Sequence, residues 1–99
     1  MLDAATAETF KPHVGDIFKM LVDEAVAVDA RLVEVKQAEW AFSPERRRTP
    51  FSLYFQTAAQ QVWPQRIYRL QHPALGDVEI FLVPTARNAE GVLYEAVFN

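Results

Sequence analysis

From Ile17 onward, apolar and polar residues in this chain mostly alternate with a period of two, the pattern of strands whose side chains face opposite ways. Phe18, Met20 and Val22 alternate with Ile17, Lys19, Leu21 and Asp23, giving a strand with two apolar faces. In residues 25–40 the apolar parity switches between Ala30 and Val33, as a β-bulge would make it do. A helix over residues 24–31 is the alternative there; the β-branched valines favour strand. Phe51, Leu53 and Phe55 then alternate with Ser52, Tyr54 and Gln56. Further strands are expected over 66–72, 78–83 (bracketed by Pro73 and Pro84) and 92–98, with turns at 73–77 and 87–91. Residues 43–50, polar and bounded by prolines, read as a loop, and 57–65 as a second connection.

The beginning of the chain differs. Leu2, Ala5 and Thr9 or Phe10 fall at helical spacing, Asp3 or Thr6 can cap, and Pro12 is placed to end a helix over 2–12 before a turn at 13–16. Short strands separated by turns predict a mainly β fold. The expectation is an antiparallel meander of about six strands, closed into a small barrel or rolled sheet, with a short N-terminal helix covering one end or face. Residues 1–99 form one domain.

Composition narrows the functional classes. The chain is 51% hydrophobic and 23% charged, ordinary for a folded domain. With no cysteine, disulfides and thiolate metal sites are excluded, so packing must hold the fold together. A net charge of −3 argues against general nucleic-acid binding, which needs many phosphate-neutralising cations. No apolar run approaches the roughly 20 residues of a spanning helix, and the opening MLDAATAETF lacks the basic and apolar regions of a signal peptide. A cytoplasmic setting is the resulting expectation.

Several stretches resemble a known family. They are Phe10-Lys11-Pro12-His13-Val14-Gly15, Pro50-Phe51-Ser52-Leu53, the run from Trp63-Pro64-Gln65 through His72-Pro73-Ala74-Leu75-Gly76, Phe81-Leu82-Val83-Pro84, and the closing Leu93-Tyr94-Glu95-Ala96-Val97-Phe98-Asn99. The likeness spans nearly the whole chain and is to a bacterial family of roughly hundred-residue domains of unknown function. The resemblance implies a bacterial origin and a compact stand-alone domain, and it supplies no catalytic residue.

Read residue by residue, the chain offers little catalytic chemistry. Its two histidines, His13 and His72, each adjoin a proline; pairing them with Asp16, Asp77 or Glu79 would give a metal or acid–base site. Bonding to turn backbone is the commoner role for such residues, and no metal or cofactor is expected. Ser43 and Ser52 lie in no nucleophile elbow, and Gly15, Gly76 and Gly91 are too scattered to cradle a phosphate. Glu34, Glu79 and Glu95 are strand carboxylates, more often solvent-facing than paired in a site. The cluster Arg46, Arg47 and Arg48, with Trp40 and Tyr54 near it in sequence, is the candidate partner-binding surface. Phe81 and Tyr54 fall on the parity opposite to the clearest core residues, as a partner-facing strand surface would.

The expected function is therefore a non-enzymatic protein-interaction or assembly module, with a protein partner or a second copy of itself. One alternative is a small-molecule carrier holding its ligand in the barrel mouth near Trp40, Trp63 and Tyr68. The other is a small hydrolase or isomerase using the strand carboxylates and histidines; no catalytic residue is assigned.

Overall fold

The computed structural model describes residues 5–37 and 49–99. The chain is mainly β. Six strands, β1 (Ile17–Asp23), β2 (Val26–Gln37), β3 (Phe51–Thr57), β4 (Arg66–His72), β5 (Gly76–Asn88) and β6 (Gly91–Phe98), form a closed antiparallel barrel in the order β1-β2-β3-β6-β5-β4. Two three-stranded meanders, β1–β3 and β4–β6, thus face each other across two seams. The seam between β3 and β6 has seven residue pairs, and the seam between β1 and β4 has three: Lys19 with Gln71, Met20 with Leu70, and Leu21 with Arg69.

Alternation fills the interior. Phe18, Met20 and Val22 point inward from β1, Phe51, Leu53, Phe55 and Thr57 from β3, and Tyr68, Leu70 and His72 from β4. Val78, Ile80 and Leu82 do so from β5, and Val92, Tyr94, Ala96 and Phe98 from β6. On β2, Ala30 and Leu32 are inside, Val33 and Glu34 both face out, and Val35 turns back towards the core. The pairing with β3 shifts register between Leu32 and Glu34. This bulge is the parity switch read from the sequence, and residues 26–31 are strand rather than helix.

Two boundaries differ from the sequence reading. β5 runs straight through Pro84 instead of stopping at Val83. Its pairing with β4 ends at Leu82, so beyond that point β5 has only β6 as a neighbour, and a proline without an N–H is tolerated at the bulge between Pro84 and Ala86. The N-terminal helix, expected over 2–12, is a single turn, α1 (Ala7–Phe10), followed by a 3₁₀ turn (Lys11–His13). The Thr6 N–H donates to Thr9 Oγ1 at 3.0 Å to start the helix, and Pro12, with no N–H to continue the ladder, tightens its end. Residues 1–4 lie outside the described residues, as does most of the predicted 43–50 loop.

α1 plugs one end of the barrel. Phe10 packs on Phe98 (centroids 5.9 Å apart) and Phe51 (6.1 Å), which stack on each other at 4.7 Å. The chain then reaches β1 through Gly15 and Asp16, whose backbones exchange hydrogen bonds with Leu32 at 2.7 and 3.0 Å.

Candidate functional site

Fastening α1 to the barrel also brings the two histidines together. His13 ends the 3₁₀ turn, Asp16 immediately precedes β1, and His72 ends β4 as one of two buried polar residues among those described. His72 Nε2 lies 2.8 Å and His13 Nδ1 3.0 Å from the same Asp16 oxygen, Oδ2, and the two rings meet edge to face at 4.6 Å. The other side of the His72 ring lies on Phe18, also at 4.6 Å. Two hydrogen bonds to one oxygen hold the Asp16 carboxyl below its ordinary value of 3.8; the bond from His72 contributes most, then that from His13, against an opposing contribution from burial.

Hydrogen-bond polarity fixes the protons. His72 Nδ1 accepts the backbone N–H groups of Ala74 (3.0 Å) and Leu75 (3.2 Å) in the turn between β4 and β5. Nδ1 is therefore unprotonated, and Nε2 carries the hydrogen donated to Asp16. His13 donates from Nδ1 to the same carboxylate.

His13, Asp16 and His72 each bring a ligating atom within 4.8 Å of the others, close enough for a metal ion. The hydrogen bonding does not fit one. A histidine that ligates through Nε2 has to present Nδ1–H to an acceptor, whereas here Nδ1 faces two donors. The trio is a polar knot joining the N-terminal segment, β1 and the turn after β4.

The same knot strengthens the short β1–β4 seam. Asp16 and His72 bridge it at one end, and at the other the Arg66 guanidinium donates to the Val22 carbonyl while lying 4.7 Å over the Tyr68 ring.

The remaining candidate residues are dispersed. Trp40, Arg46, Arg47 and Arg48 lie outside the described residues. Tyr54 is on the outer wall of β3, where its hydroxyl donates to Glu95 Oε2 at 3.0 Å; burial first, then that carboxylate, pushes the phenol pKa up. Tyr68 is inside the barrel and donates to the Pro64 carbonyl, and the half-buried Trp63 donates its backbone N–H to the Tyr94 hydroxyl at 3.0 Å. These two close the end opposite the histidines. Glu34, Glu79 and Asp77 are exposed, and Glu95 is partly so; none of them joins the two histidines. A shallow groove of about 350 Å³ lies on the outer wall among Ile17, Arg31, Gln56 and Glu90, away from the mouth formed by Trp63 and Tyr68.

The sequence reading did not find an apolar strip on the outer wall of the second meander. Ile67, Phe81 and Val97 are 64%, 51% and 59% exposed. Ile67 pairs with Phe81 across β4–β5, and extending the Val83–Glu95 register by two residues brings Val97 beside Phe81. Parity alone marked Phe81; the other two become its neighbours only through strand order.

Fold and site together define a small closed six-stranded antiparallel barrel whose plugged end is fastened by a histidine–aspartate knot. Residues 5–98 match a family described as Domain of unknown function (DUF6916), and the chain belongs to that family. No curated protein and no solved structure matches it. Among the described residues no helix is long and apolar enough to cross a membrane.

Proposed function

We propose that this domain is a non-enzymatic protein-interaction or assembly module acting through the outer wall of β4, β5 and β6. The observation that carries the reading is the strip Ile67–Phe81–Val97, three large apolar side chains in one row across neighbouring strands. Polar groups border it: the Arg69–Glu79 pair (3.8 Å) in the row to one side and Glu95, held by Tyr54, to the other. An apolar centre with a polar rim is the anatomy of a protein interface. The interior supports the same reading over a carried ligand, since large side chains such as Tyr68, Tyr94, Phe18 and Phe55 occupy it.

Sedimentation of the purified protein over a wide concentration range, beside affinity capture with cross-linking, tests the proposal. The expected result is self-association or a cross-linked complex that Phe81→Asp abolishes while circular dichroism stays unchanged. Binding that survives Phe81→Asp but disappears when Arg46, Arg47 and Arg48 become alanine would move the surface to the arginine loop. A monomer that cross-links to nothing would overturn the module reading itself.

A further inference from the structure

His72 makes two attachments, and only one protonation state serves both. With the hydrogen on Nε2, the neutral ring accepts from Ala74 and Leu75 at Nδ1 and donates to Asp16. An imidazolium carries N–H on both nitrogens. Its bond to the Asp16 carboxylate becomes an ion pair and stronger, while its Nδ1–H opposes two amide donors. We propose that His72 is a proton-operated pin: neutral, it ties the β4–β5 turn to the N-terminal segment; protonated, it keeps Asp16 and releases the turn.

The surroundings single out this ring. The titratable groups facing it are Asp16, from the residue preceding β1, and His13, from the 3₁₀ turn. β1 presents the uncharged ring of Phe18, and the β4–β5 turn presents backbone amides. Protonating His13 adds a cation beside Asp16 without touching the turn. What the turn holds is Leu75, a partly buried side chain packed on the core, so its release opens an apolar contact next to the plugged end.

The test is ¹⁵N NMR of the imidazoles together with amide exchange of the full chain from about pH 8 to pH 5, the range in which imidazoles titrate. The expected spectrum shows the Nε2–H tautomer of His72 at the alkaline end. As His72 takes its second proton, protection at Ala74 and Leu75, corrected for intrinsic exchange, falls by about tenfold, as loss of two neutral hydrogen bonds implies. The Gly15 amide, bonded to the Leu32 carbonyl, keeps its protection. His72→Asn supplies a carbonyl in place of Nδ1 and does not titrate, so its turn stays protected throughout, whereas His13→Asn behaves as wild type. An Nδ1–H tautomer, a ring that takes up no proton over the range, or protection that stays constant while the ring titrates would each overturn the proposal. So would an equal loss in His72→Asn, and the wild-type spectrum decides the matter even if that variant does not fold.

Discussion

Replacing Gly91 by alanine probes the tightest backbone approach among the described glycines. Gly91 opens β6 opposite Asn88, at a φ of +134°, where side-chain-bearing residues are rare. A Cβ built there meets the Thr57 carbonyl oxygen at 1.8 Å, with Thr57 C at 2.8 Å and Ala58 C at 2.9 Å. All three are backbone atoms, so no side chain can swing aside to relieve the clash. Relief requires the end of β3 to move off β6, which pulls at the Thr57–Val92 pair and the buried bond from Thr57 Oγ1 to the Val92 carbonyl at 3.2 Å. The unusual φ costs about 1–3 kcal/mol and the forced separation about 1–3 kcal/mol more. A destabilisation of about 2–6 kcal/mol is therefore expected, a large share of the roughly 5–15 kcal/mol that stabilises a typical domain. Gly76→Ala is the matched control, because Gly76 has a φ of +74° and nothing beyond its own chain neighbours lies within 4 Å of the place its new methyl group would take. It should lose only the conformational cost, about 1–2 kcal/mol. Urea denaturation followed by tryptophan fluorescence measures both as midpoint shifts at constant slope. If Gly91→Ala costs no more than Gly76→Ala, the steric reasoning fails.

Two further outcomes follow from the plugged end. Because Asp16 titrates below its ordinary value in the folded chain, its contribution to stability is complete above pH 3.8 and is lost as pH falls through the lowered folded value. The stability difference between wild type and Asp16→Asn should accordingly shrink as the pH falls below 3.8; a difference that goes on growing in that acid range would contradict the assignment. Phe10→Ala removes the ring that covers Phe51 and Phe98 and should cost about 3–5 kcal/mol in urea titration, with shifted ring resonances for those two residues.

Strand positions were legible wherever one face is buried without interruption, as in β1 and β3. The bulge in β2 was legible as well, because Val33 and Val35 break parity with Ala30 and Leu32. The end of β5 was not: the exclusion of proline applies to a strand paired on both sides, and the one-sided pairing beyond Leu82 depends on where β4 begins. Period and turn signals give the number of strands but not the crossing from β3 to β4, which sends the second meander back beside β1. That crossing is what joins His13 and Asp16 to His72. The sequence offered these histidines with three possible carboxylates, and closure of the barrel selected Asp16 alone. The strip around Phe81 was hidden for the same reason, since Ile67 and Val97 become its neighbours only when register is known.

The unequal seams have a consequence for how the ring closes. Each meander is built from hairpin-like neighbours close in sequence, whereas Leu53–Ala96 and Met20–Leu70 join residues far apart. The entropy of closing such loops grows only logarithmically with length, so the two closures cost nearly the same. Their rewards differ, with seven residue pairs against three. Union of the meanders through β3 and β6 is therefore the better rewarded of the two closures, and without the β1–β4 seam the six strands would make an open, curled sheet. The β1–β4 seam shuts it, and the Asp16–His72 and Arg66–Val22 bonds act as its clasps. In the finished molecule the same seam is the place where the ring comes apart most readily, so a transient flat sheet with two exposed edges is reached by breaking the fewest bonds there.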